Sequence, residues 1–123
     1  MGNVMPGRRA GRNGDRGLSE FVEKVRALVL AGDVRISEHG YDELAEDGLT
    51  AREVIGGILD AVVVEEYPSY RKGPCVLFLQ KDRDGAPIHI VWGIPRDHDK
   101  PVVLVTAYRP DPGRWDQSFT RRR

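Results

Sequence analysis

The sequence has one cysteine, three histidines and no long apolar run, and each shortage excludes a class of protein. The lone Cys75 cannot form an intrachain disulfide, so a disulfide-stapled secreted scaffold is excluded and a buried thiol in a reducing cytoplasm is expected. No run of about 18 apolar residues and no signal-peptide core is present, which predicts a soluble protein without a membrane partner. No HxH, HExxH or CxxC spacing occurs, so no metal site and no cofactor is predicted.

Charge is unevenly distributed, although the formal net charge is zero. Residues 1–17 carry four Arg and one Asp with little to bury, which predicts a flexible basic arm. Residues 18–66 carry four basic and twelve acidic side chains, whereas residues 67–123 carry eleven basic and six acidic ones. The basic half favours a phosphate-bearing or acidic partner, and the plain alternative is that acidic helices only keep the protein soluble.

Three helices are predicted before the strands begin. Apolar residues recur at helical spacing over residues 18–31, with Ser19 as a possible N-cap. Ser37 is predicted to begin a second helix, and Thr50 with Glu53 forms the capping-box pattern that begins a third.

Four strands are predicted after the helices, at residues 61–67, 75–80, 88–94 and 102–108. Their short connections, one of them a turn at Gly85, require antiparallel neighbours. Residues 18–123 are therefore predicted to form one α+β domain, in which the helices pack on one face of a four-stranded antiparallel meander.

Two histidines are candidates for chemistry. Side chains alternate along a strand, so His89 is expected to point away from the helices, with Gly93 leaving room beside it. His39 lies in the first turn of the second helix, where unpaired N–H groups attract anions. The structural alternatives are a hydrogen-bonded structural His89 and an exposed His39 without a role.

A polar and aromatic cluster follows the last predicted strand. Arg109 and Arg114 have the geometry to clamp phosphate, and Trp115 beside Tyr108 could stack on a base. The plain alternative is a basic surface loop whose Trp is anchored in the core. The acidic pair within residues 65–67, at the end of the first predicted strand, could supply a carboxylate that supports the candidate chemistry. The plain alternative is that such a pair is only hydrated by solvent.

Four separated motifs carry a resemblance to a known family. They are Ile-Ser-Glu-His at residues 36–39, Val-Val-Glu-Glu-Tyr at residues 63–67, Ile-His-Ile-Val at residues 88–91, and Val-Thr-Ala-Tyr-Arg-Pro-Asp at residues 105–111 with Trp115. Together they resemble a bacterial family catalogued as domain of unknown function 4258. The resemblance covers about residues 20–123.

That family looks like a member of the barnase, EndoU, colicin and RelE superfamily, which includes many metal-independent ribonuclease toxins. The resemblance therefore implies a RelE-like fold, an RNA substrate, a cytoplasmic endoribonuclease activity and a cognate antitoxin partner. Metal-free RNA cleavage needs a base, an acid and cations around the phosphate, and two histidines can supply both proton transfers. The residues assigned on this basis are His39, His89 and Tyr108 for catalysis, with Arg109, Arg114 and Trp115 for substrate binding.

The sequence departs from the family pattern at one position, and two other functions are alternatives to the ribonuclease interpretation. Relatives commonly carry an Arg near the position of Glu43, so a phosphate contact made there would be missing. A non-catalytic module that binds RNA or a protein could use the same fold. A metal-dependent hydrolase that uses His39, His89 and His98 as ligands is the third functional hypothesis.

Overall fold

The computed structural model describes residues 19–123, so the predicted basic arm at residues 1–17 lies outside the described residues. The elements are α1 (Glu20–Leu30), β1 (Val34–Ile36), α2 (Glu38–Glu46), α3 (Ala51–Gly56), a short 3-10 helix (Gly57–Asp60), β2 (Val62–Tyr67), β3 (Cys75–Lys81), β4 (Pro87–Gly93) and β5 (Val102–Tyr108). None of the helices in this described part is long and apolar enough to cross a bilayer.

The three α-helices begin where capping signals predict. The hydroxyl groups of Ser19 and Ser37 accept the backbone N–H groups of Val22 and Gly40 at 3.1 and 2.9 Å. The Thr50 hydroxyl and the Glu53 carboxylate satisfy each other's backbone N–H groups, so the predicted capping box is confirmed. These side chains replace hydrogen bonds that the first turn of a helix lacks.

The sheet has five strands in the order β1-β5-β4-β3-β2, so the prediction of four strands was wrong. Strands β2 to β5 form the predicted antiparallel meander. The additional strand β1 pairs parallel with β5, Val34 opposite Val102. Its three residues include the exposed Arg35, and a strand of this length is too short to show an alternating pattern.

The helices cover one face of the sheet, here called the inner face, and the core lies between them. Fully buried residues of this core include Val22 and Val25 of α1, Ile58, and Phe78, Ile90, Trp92 and Leu104 of the sheet. The buried Gln80 accepts the indole N–H of Trp92 at 3.2 Å and donates to the carbonyl of Val54 at 2.8 Å. The polar groups inside this core are therefore paired, as burial requires.

The last ten residues lie on the opposite face of the sheet, here called the outer face. Trp115 and Arg122 form an antiparallel bridge, and the Asp116 N–H donates to the Arg121 carbonyl at 2.9 Å. Residues 114–123, here called the C-terminal hairpin, therefore double back on themselves. The four-residue spacing of Trp115 and Phe119 would suit a turn of helix packed on the core, but these residues lie in a hairpin instead.

Candidate functional site

Strands β4 and β5 place His89 and Tyr108 opposite each other on the outer face. The Nδ1 atom of His89 lies 3.1 Å from the hydroxyl of Tyr108. The two rings meet edge to face, with centroids 5.2 Å apart. Two residues singled out in the sequence, 19 positions apart, thus form one hydrogen-bonded pair.

His89 is on the outer face as predicted, but it is not accessible there. Its side chain is 0% exposed because the C-terminal hairpin covers it, with the Trp115 ring centroid 4.6 Å away. The Nε2 atom lies 2.8 Å from the carbonyl oxygen of Phe119. Since a carbonyl only accepts, Nε2 carries the proton of the neutral ring and Nδ1 accepts from Tyr108. Both ring nitrogens are therefore engaged within the protein.

A second polar group fastens the hairpin to β2. The Glu65 carboxylate accepts the Tyr67 hydroxyl at 2.5 Å and an Arg122 nitrogen at 2.6 Å. The Arg122 guanidinium lies over the Trp115 ring, 4.7 Å from its centroid. From the sequence, Glu65 and Tyr67 are expected on one face of a strand because they are two positions apart. Arg122 lies in a terminal run of arginines, and nothing in the sequence pattern indicated its contact with Glu65.

Burial and this charge pair shift the acidities of the site. Burial is the largest cause that lowers the pKa of His89, and the positive charge of Arg122 acts in the same direction. The Tyr67 hydrogen bond and Arg122 lower the pKa of Glu65, so this carboxylate is ionised near neutral pH. Burial and Glu65 raise the pKa of Tyr67 to about 12, and burial raises that of Tyr108. Near pH 7 the site therefore holds a neutral imidazole, two neutral phenols and one ion pair.

The lowered pKa of His89 predicts a loss of stability on mild acidification. In the unfolded chain the His89 imidazole takes up a proton below a pKa of about 6.5, whereas in the folded protein it takes up a proton only at lower pH. Acid therefore favours the unfolded state. The stability that the neutral ring provides is complete above that value and falls as the pH drops through the lower folded pKa. The expected slope is at most about 1.4 kcal/mol per pH unit, measured by urea unfolding between about pH 7.5 and pH 5.

A His89→Gln variant supplies the control for this slope. Its unfolding free energy should change little across the same pH window. The other ionised carboxyl group of the site, Glu65, has its pKa lowered from an ordinary value of 4.5 and therefore titrates below this window. Equal slopes for the two proteins would contradict the buried, neutral His89.

Beside His89 and Tyr108 lies a basic depression, here called the arginine hollow. Its volume is about 570 Å³, and it is lined by Tyr108, Arg109, Asp111, Gly113, Arg114, Trp115, Arg122 and Arg123. The four residues of the predicted polar and aromatic cluster therefore share one hollow. Trp115 is only 5% exposed, between His89 and Arg122, so its ring has no open face for a base in this conformation.

His39 lies elsewhere. It is exposed, its Nε2 atom is 3.3 Å from the Glu43 carboxylate, and it lines a separate pocket, here called the His39 pocket. Within residues 19–123 no residue lines both that pocket and the arginine hollow. The pairing of His39 with His89 expected for acid and base catalysis is therefore absent from this conformation.

Glu43 has a structural contact that accounts for a carboxylate at its position. It accepts the hydroxyl of Thr106 and the backbone N–H of Ala107, the latter at 3.1 Å. Strand β1 ends opposite Leu104, so the Glu43 side chain continues the pairing of β5 beyond that point. An Arg here could not accept either hydrogen bond.

Residues 36–109 match the sequence pattern of a family described as Domain of unknown function (DUF4258). The chain belongs to this family. The match includes His39, His89, Tyr108 and Arg109, whereas the C-terminal hairpin of this DUF4258 chain lies beyond it. No curated protein and no solved structure matches the chain, and the RelE-like fold stays a prediction.

Among the residues that the structure describes, His, Cys, Asp and Glu side chains do not gather in groups of three or more that could hold a metal ion. The trio of His39, His89 and His98, on which the alternative metal-dependent hydrolase would depend, does not form such a group.

Proposed function

We propose that this chain binds RNA by holding the phosphodiester backbone in the arginine hollow. The observation that carries the proposal is the charge of the lining, which contains four arginine side chains and one acidic side chain, that of Asp111. Guanidinium groups bind phosphate oxygens through paired N–H groups, and a concave cluster of one sign of charge concentrates a polyanion near the surface.

The arginines of the hollow divide into two pairs. Arg109 and Arg122 are bound to the carboxylates of Asp82 and Glu65 at 3.0 and 2.6 Å, so they shape the hollow. All four arginines are exposed, but the ion pair of Arg114 with Asp111 is long, at 4.0 Å, and Arg123 donates its Nε–H to the Pro112 carbonyl at 2.8 Å. Among the described residues no short ion pair holds Arg114 or Arg123, so we expect these two to exchange water for phosphate at the smaller cost.

Contacts of this kind read the backbone and not the base sequence. RNA binding at the hollow should therefore be weakly sequence-dependent and strongly salt-dependent. The resemblance to ribonucleases is what favours RNA over another phosphate polymer.

Replacing the two arginines that no short ion pair holds among the described residues, Arg114→Ala with Arg123→Ala, should weaken binding and reduce its salt dependence. Each lost phosphate contact lowers the magnitude of the slope of log affinity against log salt by about 0.7 for a single strand, so a decrease of about 1.4 is expected. The measurement is fluorescence anisotropy of a labelled single-stranded RNA at several salt concentrations, with the full chain.

The matched control is the double variant Arg52→Ala with Arg71→Ala, which removes the same charge from exposed positions outside the hollow. The control should change the slope much less than the hollow variant. If both double variants change the slope equally, the hollow is not the site and net charge alone drives binding. RNA affinity that both variants retain in full would overturn the proposal.

A second candidate function is the metal-independent endoribonuclease of a toxin and antitoxin pair. The observation that favours it is the position of Tyr108, which lines the hollow and hydrogen-bonds to His89. A phosphodiester held by the arginines would lie beside this phenol. As the ribose 2′-hydroxyl attacks the phosphorus and loses its proton to water, the phenol would turn its proton from Nδ1 of His89 to the leaving 5′-oxygen, and water would then return a proton to the phenolate. In a cell such an activity would be silenced by a partner protein that covers the hollow.

A further inference from the structure

The His39 pocket lies at the other end of β4 and β5 and has a different chemistry from the arginine hollow. Its volume is about 410 Å³, and it is lined by Ser37, His39, Tyr70, Lys72, Gly73, Cys75, Gly93, Ile94, Pro95, Val103, Leu104 and Val105. Most of this lining is apolar, in contrast to the four arginines of the hollow. The function proposed above does not use this pocket.

Three strands of the sheet form the floor of the pocket. Cys75, Gly93 and Val103 lie side by side on three neighbouring strands. Gly93 contributes no side chain, and a Cβ atom there would lie 3.2 Å from the Pro74 carbonyl oxygen and 3.3 Å from a Val105 methyl group, so its neighbours leave little room for one. The floor is therefore apolar with no side chain from its middle strand at this point, which suits the face of a planar ring.

The rim of the pocket supplies an aromatic wall and cations. Tyr70 is 46% exposed, and Lys72 and His39 are exposed beside it. Aromatic side chains stack on nucleobases, and a lysine ammonium binds phosphate as a point charge. The rim therefore matches the two parts of a nucleotide.

We propose that the His39 pocket receives one unpaired nucleobase of the RNA whose backbone occupies the arginine hollow. This inference rests on the proposed function. Both sites lie on the outer face, and the four residue steps from His89 to Gly93 separate them by about 13 Å along β4. Tyr70 stacks on the base, and Lys72 contacts the phosphate of the same nucleotide.

The test is a Tyr70→Ala variant titrated with two probes, single-stranded RNA and inorganic polyphosphate. Loss of one stacked base should weaken RNA binding by about 5- to 150-fold and leave polyphosphate binding unchanged, because polyphosphate has no base. Tyr41→Ala is the matched control, since Tyr41 is 55% exposed on α2 and does not line the pocket. It should leave the affinity for both probes unchanged.

The possible outcomes separate this inference from the function on which it rests. If Tyr70→Ala binds RNA as tightly as the unmodified chain while the variant of Arg114 and Arg123 binds it weakly, the base pocket is wrong and the RNA-binding proposal stands. Equal losses for RNA and polyphosphate would also overturn the base pocket. If the unmodified chain does not bind RNA at all, both proposals fall.

Discussion

Replacing His89 with leucine is expected to lower the free energy of unfolding by about 2–4 kcal/mol. Leucine fills a similar volume but leaves two groups without their partners, the Phe119 carbonyl at 2.8 Å and the Tyr108 hydroxyl at 3.1 Å. A buried polar group that loses its partner costs about 1–3 kcal/mol. The expected effect is large because His89 is 0% exposed, so the leucine that replaces it fills the site and offers neither group a hydrogen bond.

Urea unfolding followed by tryptophan fluorescence measures this effect, and it also reports on the hairpin. Trp115 is 5% exposed and packs on His89, so a loosened hairpin should shift its emission towards that of a hydrated indole. His98→Leu is the matched control, because His98 is exposed although its Nδ1 lies 2.8 Å from the Arg96 carbonyl. That variant should change stability by less than about 0.5 kcal/mol. Similar small effects for both variants would refute the structural role of His89.

The C-terminal hairpin separates the two candidate functions physically. RNA binding at the arginine hollow needs no movement, because Arg114 and Arg123 are already exposed. Direct proton transfer between RNA and His89 would require the hairpin to release the ring, and the Glu65–Arg122 ion pair holds the hairpin in place. This conformation therefore favours the binding proposal over the cleavage proposal, and the group that cleavage would use is the phenol of Tyr108, which lines the hollow.

Features with a local cause could be predicted from the sequence. The caps at Ser19, Ser37 and Thr50 depend on residues three positions apart, and the turn at Gly85 depends on a positive φ, here 81°. Strand β1 could not be predicted in the same way. Its three residues are held by pairing with β5, which lies more than sixty positions later in the chain. Nothing in the local pattern records that partner.

The candidate site shows the same division. Alternation along β4 correctly placed His89 on the outer face, because side-chain direction in a strand is a local property. Its burial could not be inferred, since the cover comes from Trp115 and Phe119 in a segment without periodicity. The contact between Glu65 and Arg122 spans 57 positions and joins two residues that, read singly, look like solvated surface charges.

If the chain cleaves RNA, replacing Tyr108 with phenylalanine is expected to reduce cleavage by about 100- to 10,000-fold. The substitution keeps the ring and removes only the hydroxyl, which is the proton-bearing group that joins the arginine hollow to His89. RNA affinity should remain close to that of the unmodified chain, because the phosphate contacts come from arginines. The measurement is cleavage of a labelled RNA in the presence of EDTA, with anisotropy to measure binding on the same samples.

His39→Ala is the discriminating control for that experiment, since it removes the other histidine predicted for catalysis. His39 lines a different pocket and is 3.3 Å from Glu43, so this variant should cleave as fast as the unmodified chain at saturating RNA. If His39→Ala loses RNA cleavage and Tyr108→Phe keeps it, the reaction centre lies at the His39 pocket. Equal cleavage by the unmodified chain and Tyr108→Phe would remove the phenol from the chemistry. No cleavage by the unmodified chain, with RNA still bound, would leave the arginine hollow as a binding site without a reaction.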